Sequence, residues 1–253
     1  GGGPVLTANP EPLAPFLDVV LLGDGENLLA TFIDTLQEIK HLSRRDKLIQ
    51  LAQIPGIYIP QLYIPEYSLN GNLKRINKVI SEIPNSIEKQ TWHSKTLSHS
   101  TVITPDAAWP NIHMIETVRS CPELCRFCLA SYLTLPFRSS SLEDGLIPAI
   151  EKGLKITNRI GLLGASVTQH PQFSELLNWL NKDTFENIRL SISSVRASTV
   201  NPEMTRILSK HNCKSITIAI ESGSERMRNI VNKKLSEDQI FMAAHYAKEG
   251  GLS

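Results

Sequence analysis

From residue 112 onward, short apolar runs alternate with stretches of helical periodicity, and this alternation restricts the fold more than any other feature of the chain. Strands are read at residues 112–118, 159–163, 188–192 and 216–220. Helical patterns follow them. Ser141 with Asp144 resembles a capping box ahead of Leu142, Leu146, Ile147, Ile150 and Leu154, with Asp in place of the usual Glu or Gln. Pro171 suits a first helical position before Phe173, Leu176, Leu177 and Leu180. Asn201-Pro202 opens another helix as cap and first residue. Ser236 with Gln239 forms a second capping box, and its helix runs toward Gly250. Four strand–helix units in succession imply a parallel sheet with outer helices. Such repeats build either a doubly wound sheet or a (β/α) barrel, and both place their sites at the C-terminal strand ends.

The first forty residues give one more strand–helix pair. Residues 17–22 read as a short buried strand and Gly23-Asp24-Gly25-Glu26 as a turn. Leu28, Leu29, Phe32, Ile33, Leu36 and Ile39 then form one apolar helix face, with Lys40, His41, Arg44 and Arg45 at its far end. No Gly-Lys-Ser/Thr follows the glycine turn, so it is not a phosphate loop. Residues 46–110 carry Pro55, Pro60, Pro65, Pro84, Pro105 and Pro110 and lose continuous periodicity. They are expected to form a connecting region with little regular structure, with short strand candidates at 57–59 and 62–64.

Composition narrows the function classes. Lys and Arg number 26 against 25 Asp and Glu, a formal net charge of +1. That balance speaks against a strongly basic nucleic-acid binder; it leaves room for a local basic patch, so a nucleic-acid substrate stays open. No apolar stretch approaches the ~18 residues that cross a bilayer, and no charged leader precedes an apolar core. Three of the four Cys are crowded together, which points to a metal site in a reducing compartment and so to a cytoplasmic protein. The chain opens Gly1-Gly2-Gly3 and stops just after a helical pattern, and both ends are expected to be cuts through a longer protein.

The sharpest chemical feature is Cys121-Pro122-Glu123-Leu124-Cys125-Arg126-Phe127-Cys128, a C-x3-C-x2-C spacing. It follows the first strand of the repeat and therefore lies on a loop at a C-terminal strand edge. Thiolates are soft ligands that select iron–sulfur clusters, zinc or cuprous copper. A structural zinc takes four ligands, and this motif supplies three. A cubane with three protein thiolates keeps one iron open to substrate or cofactor. The competing readings are a non-catalytic zinc module, completed by Cys213 or a His, and an electron-transfer iron–sulfur protein.

Cys121, Cys125 and Cys128, with aromatic Phe127 before the third Cys, resemble the radical S-adenosylmethionine (SAM) superfamily. The string Arg119-Ser120-Cys121-Pro122, Cys125-Arg126-Phe127-Cys128-Leu129-Ala130, Pro136-Phe137-Arg138 and Ser141-Leu142-Glu143 is more specific. With Ile220-Glu221-Ser222-Gly223-Ser224-Glu225-Arg226, it resembles the cobalamin-binding-domain-containing branch of that superfamily, which is related to the methylthiotransferases. The resemblance implies an α/β fold: a partial (β/α) TIM-type radical SAM barrel preceded by the tail of a Rossmann-like cobalamin-binding domain. It implies three segments: residues 1–40 as the remnant of that domain, 41–110 as a connection and 111–253 as the truncated radical SAM core.

By the same resemblance, the three Cys ligate a 4Fe-4S cluster whose fourth iron chelates SAM. Reductive cleavage would give methionine and a 5′-deoxyadenosyl radical, used for methyl or methylthio transfer or a rearrangement. Phe127 would pack beside the adenine, Gly164 and Ser166 would meet the methionine amino group, and Ser194 and Arg196 resemble a ribose-contacting pair. Glu221 would accept hydrogen bonds from the ligand. An electron donor such as flavodoxin or ferredoxin is implied, and the substrate is not readable. Three departures stand out. Ser120 replaces the usual Gly before the first Cys, so a left-handed backbone there would cost more. Ser198 stands where the ribose pattern often has Asp. The Asp-His-Gly segment that cradles cobalamin is absent from residues 1–40, so cobalamin is expected only in a longer protein.

Overall fold

The computed structural model describes residues 1–193 and 195–253, in two compact units, Gly1–His93 and Ser94–Ser253. In the first unit, helix α1 (Pro4–Ala8) precedes strand β1 (Val20–Leu21), α2 (Gly25–Glu38), α3 (Arg44–Leu51), β2 (Ile57–Tyr58), β3 (Tyr63–Tyr67) and β4 (Leu73–Lys78). The strand expected at 17–22 is thus only two residues long, and it pairs antiparallel with β2. α2 buries Leu28 and packs Phe32 and Ile39 on the core, while Leu29, Ile33 and Leu36 stay exposed. Its apolar stripe is wider than the core that it meets. Arg44 and Arg45 do not end α2 as expected. Ser43 accepts the Asp46 amide at 3.2 Å and starts a new helix, so both arginines open α3.

The 46–110 segment is more regular than its prolines suggest. β3 and β4 form an antiparallel hairpin that includes Pro65, which a two-stranded ribbon tolerates because both strands are edges. Its turn uses Asn70-Gly71, with Gly71 at φ +80.

The second unit contains β5 (His113–Glu116), β6 (Val118–Arg119), α4 (Leu129–Leu133), β7 (Arg138–Ser139), α5 (Ile147–Leu154) and β8 (Arg159–Leu163). It continues with α6 (Phe173–Leu180), β9 (Arg189–Ile192), α7 (Pro202–Lys210), α8 (Glu225–Ile230) and α9 (Glu237–Glu249). β5, β8 and β9 form a parallel sheet in that order, with His113 opposite Ile160 and Arg159 opposite Arg189. The run at 216–220 does not become a regular strand. It meets the third strand's extension through one parallel bridge, Val195 to Ile218, and the Ile216 amide is taken by Ser253 O at 3.0 Å. Each successive run still lies beside the one before it. A doubly wound sheet reverses its order part-way, whereas a barrel advances in one direction, so the arrangement is of the (β/α) barrel type.

Helix positions follow from local chemistry. Asn201 Oδ1 accepts the Met204 amide at 2.9 Å and sets the start of α7. Ser236 and Gln239 close a reciprocal capping box at α9. Ser141 caps Asp144, but the turn Leu142–Leu146 is π-helical, with the Leu146 amide on Ser141 O at 2.8 Å. Ile150, Ile160, Leu162, Leu176, Leu180, Ile207 and Leu208 are fully buried in one core. At about 1.5–3 kcal/mol for each such side chain, this core holds the strand ends in place.

Candidate metal and cofactor site

β6 pairs antiparallel with β7, Val118 opposite Ser139 and Arg119 opposite Arg138. The chain between them leaves and returns at the C-terminal end of β5, and the three cysteines lie on its outgoing limb. Ser120 opens the limb at φ +72, the left-handed geometry that glycine adopts at least cost. Its hydroxyl donates to Ser131 O at 2.9 Å. Leu124 is also left-handed, at φ +49, and its carbonyl accepts from Asn232 Nδ2 at 3.0 Å and from Tyr132 Oη at 2.9 Å. The Arg126 amide donates to Val231 O at 2.9 Å, and its guanidinium donates to Ile230 O. Strained backbone persists where its surroundings over-determine it, and these tethers do so here.

Cys121, Cys125 and Cys128 are free thiols and line one pocket of about 220 Å³. Cys125 is buried, and burial pushes its thiol pKa up while the Lys233 charge opposes the shift. Ser131 Oγ donates to Cys128 Sγ at 3.3 Å. Among the described residues, no three His, Cys, Asp or Glu side chains are grouped to hold a single metal ion. A cluster takes each thiolate at a different iron, and three free thiols lining one cavity suit that donor set. Cys213 lies apart from this pocket, packed against the core with its thiol on Ser215 O at 3.3 Å.

Of the other residues singled out in the sequence, Phe127, Ser166, Arg196 and Glu221 line the same pocket. Phe127 is 52% exposed there. Gly164 is not in the lining; its carbonyl accepts from Ser193 Oγ at 2.9 Å. A Cβ on Gly164 would stand 2.5 Å from Val118 Cγ2 and 2.7 Å from Val118 O, so the residue lets β8 approach β6 closely. Ser194 lies outside the described residues.

Lining residues that the sequence did not single out include Glu123, Gln169 and Lys233. Ser166 Oγ donates to Gln169 Oε1 at 2.5 Å, and Gln169 Nε2 donates to Glu123 Oε1 at 2.5 Å. The second oxygen of Glu123 pairs with Arg196 Nη2 at 3.1 Å. Arg196 also donates to Ser198 Oγ at 3.0 Å and to Lys233 O at 2.7 Å. Ser198, where the sequence pattern often has Asp, thus holds the guanidinium. Lys233 Nζ pairs with Glu221 Oε1 at 3.1 Å, and Glu221 has a left-handed backbone at φ +71. The one available signal for Glu123 was its place between Cys121 and Cys125. Gln169 and Lys233 had none beyond lying after a strand end and after α8.

Comparison with known proteins decides the family. The family model of the radical SAM superfamily matches residues 115–253, and that for the N-terminal region of radical SAM proteins matches residues 1–60. The chain belongs to the radical SAM superfamily. This radical SAM protein is 29% identical over 255 residues to an uncharacterised protein of Methanocaldococcus jannaschii, covering 99% of the chain and 49% of the relative. It is 24% identical over 259 residues to an uncharacterised methyltransferase of Pyrococcus horikoshii, covering 99% of the chain and 51% of the relative. A tRNA-2-methylthio-N(6)-dimethylallyladenosine synthase of Chlorobium phaeobacteroides is 26% identical over 140 residues, 50% of the chain and 30% of the relative. The chain spans about half the length of the Methanocaldococcus and Pyrococcus relatives.

Among solved structures, the fold matches the radical SAM methyltransferase TsrM of Kitasatospora setae, with a TM-score of 0.65 and 14% identity. That match covers 100% of this chain and 48% of TsrM. It also matches the cobalamin-dependent radical SAM enzyme OxsB, with a TM-score of 0.59 and 17% identity, over 100% of this chain and 35% of OxsB. The architecture is therefore that of a radical SAM enzyme with a TIM-type fold. No described helix is long and apolar enough to cross a membrane.

Proposed function

We propose that this radical SAM enzyme holds a 4Fe-4S cluster through Cys121, Cys125 and Cys128, binds SAM beside it, and serves a methyl or methylthio transfer. The observation that carries the reading is the set of three free thiols around one pocket, with Cys213 elsewhere. Three donors suit a cluster with one iron left for a ligand. When bound, the cluster supplies one electron that splits the SAM sulfonium into methionine and a 5′-deoxyadenosyl radical.

The chain's own residues do the holding. Phe127 offers an exposed ring to stack against an adenine. Ser166 and Glu221 supply acceptors for ligand N–H and O–H groups. Arg196 fixes the cysteine loop through Glu123. An electron would come from a low-potential carrier such as flavodoxin or ferredoxin. In a longer protein, residues 1–40 would close a cobalamin-binding domain, 41–110 would connect and 111–253 would form the radical SAM core. The free thiols suit the reducing cytoplasm.

The test is anaerobic reconstitution of the full-length protein with iron and sulfide, followed by SAM and dithionite. Formation of 5′-deoxyadenosine and methionine, lost in Cys125→Ala, is expected. A cluster-replete sample that releases no 5′-deoxyadenosine overturns the proposal.

A further inference from the structure

Four charged side chains line the thiol pocket: Glu123, Arg196, Glu221 and Lys233. They form two pairs, Glu123 with Arg196 at 3.1 Å and Glu221 with Lys233 at 3.1 Å. The wall is therefore neutral before any thiol ionises. Three thiolates ligating a cluster would add negative charge to a partly buried site, where charge interactions are stronger than in water. Arg196 is committed to Glu123, Ser198 and the Lys233 carbonyl.

The Lys233 ammonium is placed differently. Its side chain is 13% exposed, and its root is fixed by Lys233 N to Arg228 O at 2.7 Å. The preceding Asn232 donates to Glu123 O and Leu124 O, both at 3.0 Å, and so ties this cation to the loop that carries Cys121 and Cys125. Its counter-ion Glu221 is the more exposed partner, at 32%, on a left-handed backbone.

We propose that Lys233 is the positioning cation of the thiolate pocket and that its ammonium, moderated by Glu221, sets the reduction potential of the cluster. The inference rests on the cluster reading above. Reduction adds one electron from an external low-potential donor and lowers the cluster charge by one unit. A fixed cation nearby therefore stabilises the reduced form more than the oxidised one, and net charge is among the levers on cluster potential.

The experiment is a redox titration with dithionite, followed by electron paramagnetic resonance without SAM, on reconstituted wild type, Lys233→Met, Lys233→Arg and Glu221→Gln. The Met variant should titrate at a more negative potential and the Arg variant close to wild type. The Gln variant frees the ammonium from its counter-ion and should titrate at a more positive potential. Should the Met variant not retain iron and sulfide, Lys233→Gln is titrated in its place, with the same negative shift expected. Cluster-replete variants that titrate with the wild type, or that shift in the same direction as each other, overturn the role of Lys233. A wild-type chain that takes up no sulfide overturns the cluster reading itself.

Discussion

Ser120 stands one residue before the first cysteine in a left-handed conformation, with its hydroxyl on Ser131 O. Ser120→Ala and Ser120→Gly both lose that bond, but only Gly relieves the backbone. The Gly variant should therefore be the more stable of the two by about 1 kcal/mol, read from urea unfolding. Gly164→Ala places a Cβ against the Val118 backbone and should destabilise by about 1–3 kcal/mol in the same assay. The sequence showed the departure from Gly at Ser120 and the cysteine spacing, because both are local. It did not show that Glu123 meets Gln169, 46 positions away, or that Asn232 reaches back 108 positions to Leu124. Those contacts exist only once the strand ends are assembled, and no spacing rule encodes them.

At the level of elements, periodicity and caps carried the second unit. β8, β9 and the cap of α7 lie where their patterns put them, because an alternating or capped stretch needs only its own neighbours. The run at 216–220 had the same apolar pattern but makes a single bridge, since pairing depends on what lies alongside. Of the hairpin of β3 and β4 the sequence offered only the run at 62–64, which overlaps the start of β3 and was cut short at Pro65. The reciprocal capping box makes α9 the clearest helix for a test. Ser236→Ala leaves an N-terminal amide without its acceptor and should cost about 1 kcal/mol, while Gln239→Ala, which removes the other half, should cost less; chemical denaturation reads both.

For the molecule as a whole, His113, His170 and His211 are buried, and burial pushes each imidazole pKa below its ordinary value. His170 Nδ1 accepts the Gln172 amide at 3.0 Å while Nε2 donates to Ser140 O at 2.6 Å, an arrangement that needs the neutral ring. The unfolded chain takes up protons near pH 6.5, where the folded chain does not. Stability is thus full above that pH and falls as the pH drops from about 6.5 through the depressed folded values. The melting temperature of the cluster-free protein should be lower at pH 5.5 than at pH 7.5; equal or higher melting at pH 5.5 contradicts the assignment of buried neutral histidines.

The proposed chemistry turns on whether a cluster on these three thiols keeps one corner open to SAM. Electron paramagnetic resonance of the reduced, reconstituted full-length protein, recorded before and after SAM is added, reads that corner directly. A changed spectrum on addition is expected for a cluster held by Cys121, Cys125 and Cys128 alone. A spectrum that SAM leaves unaltered, at full iron and sulfide content, contradicts it.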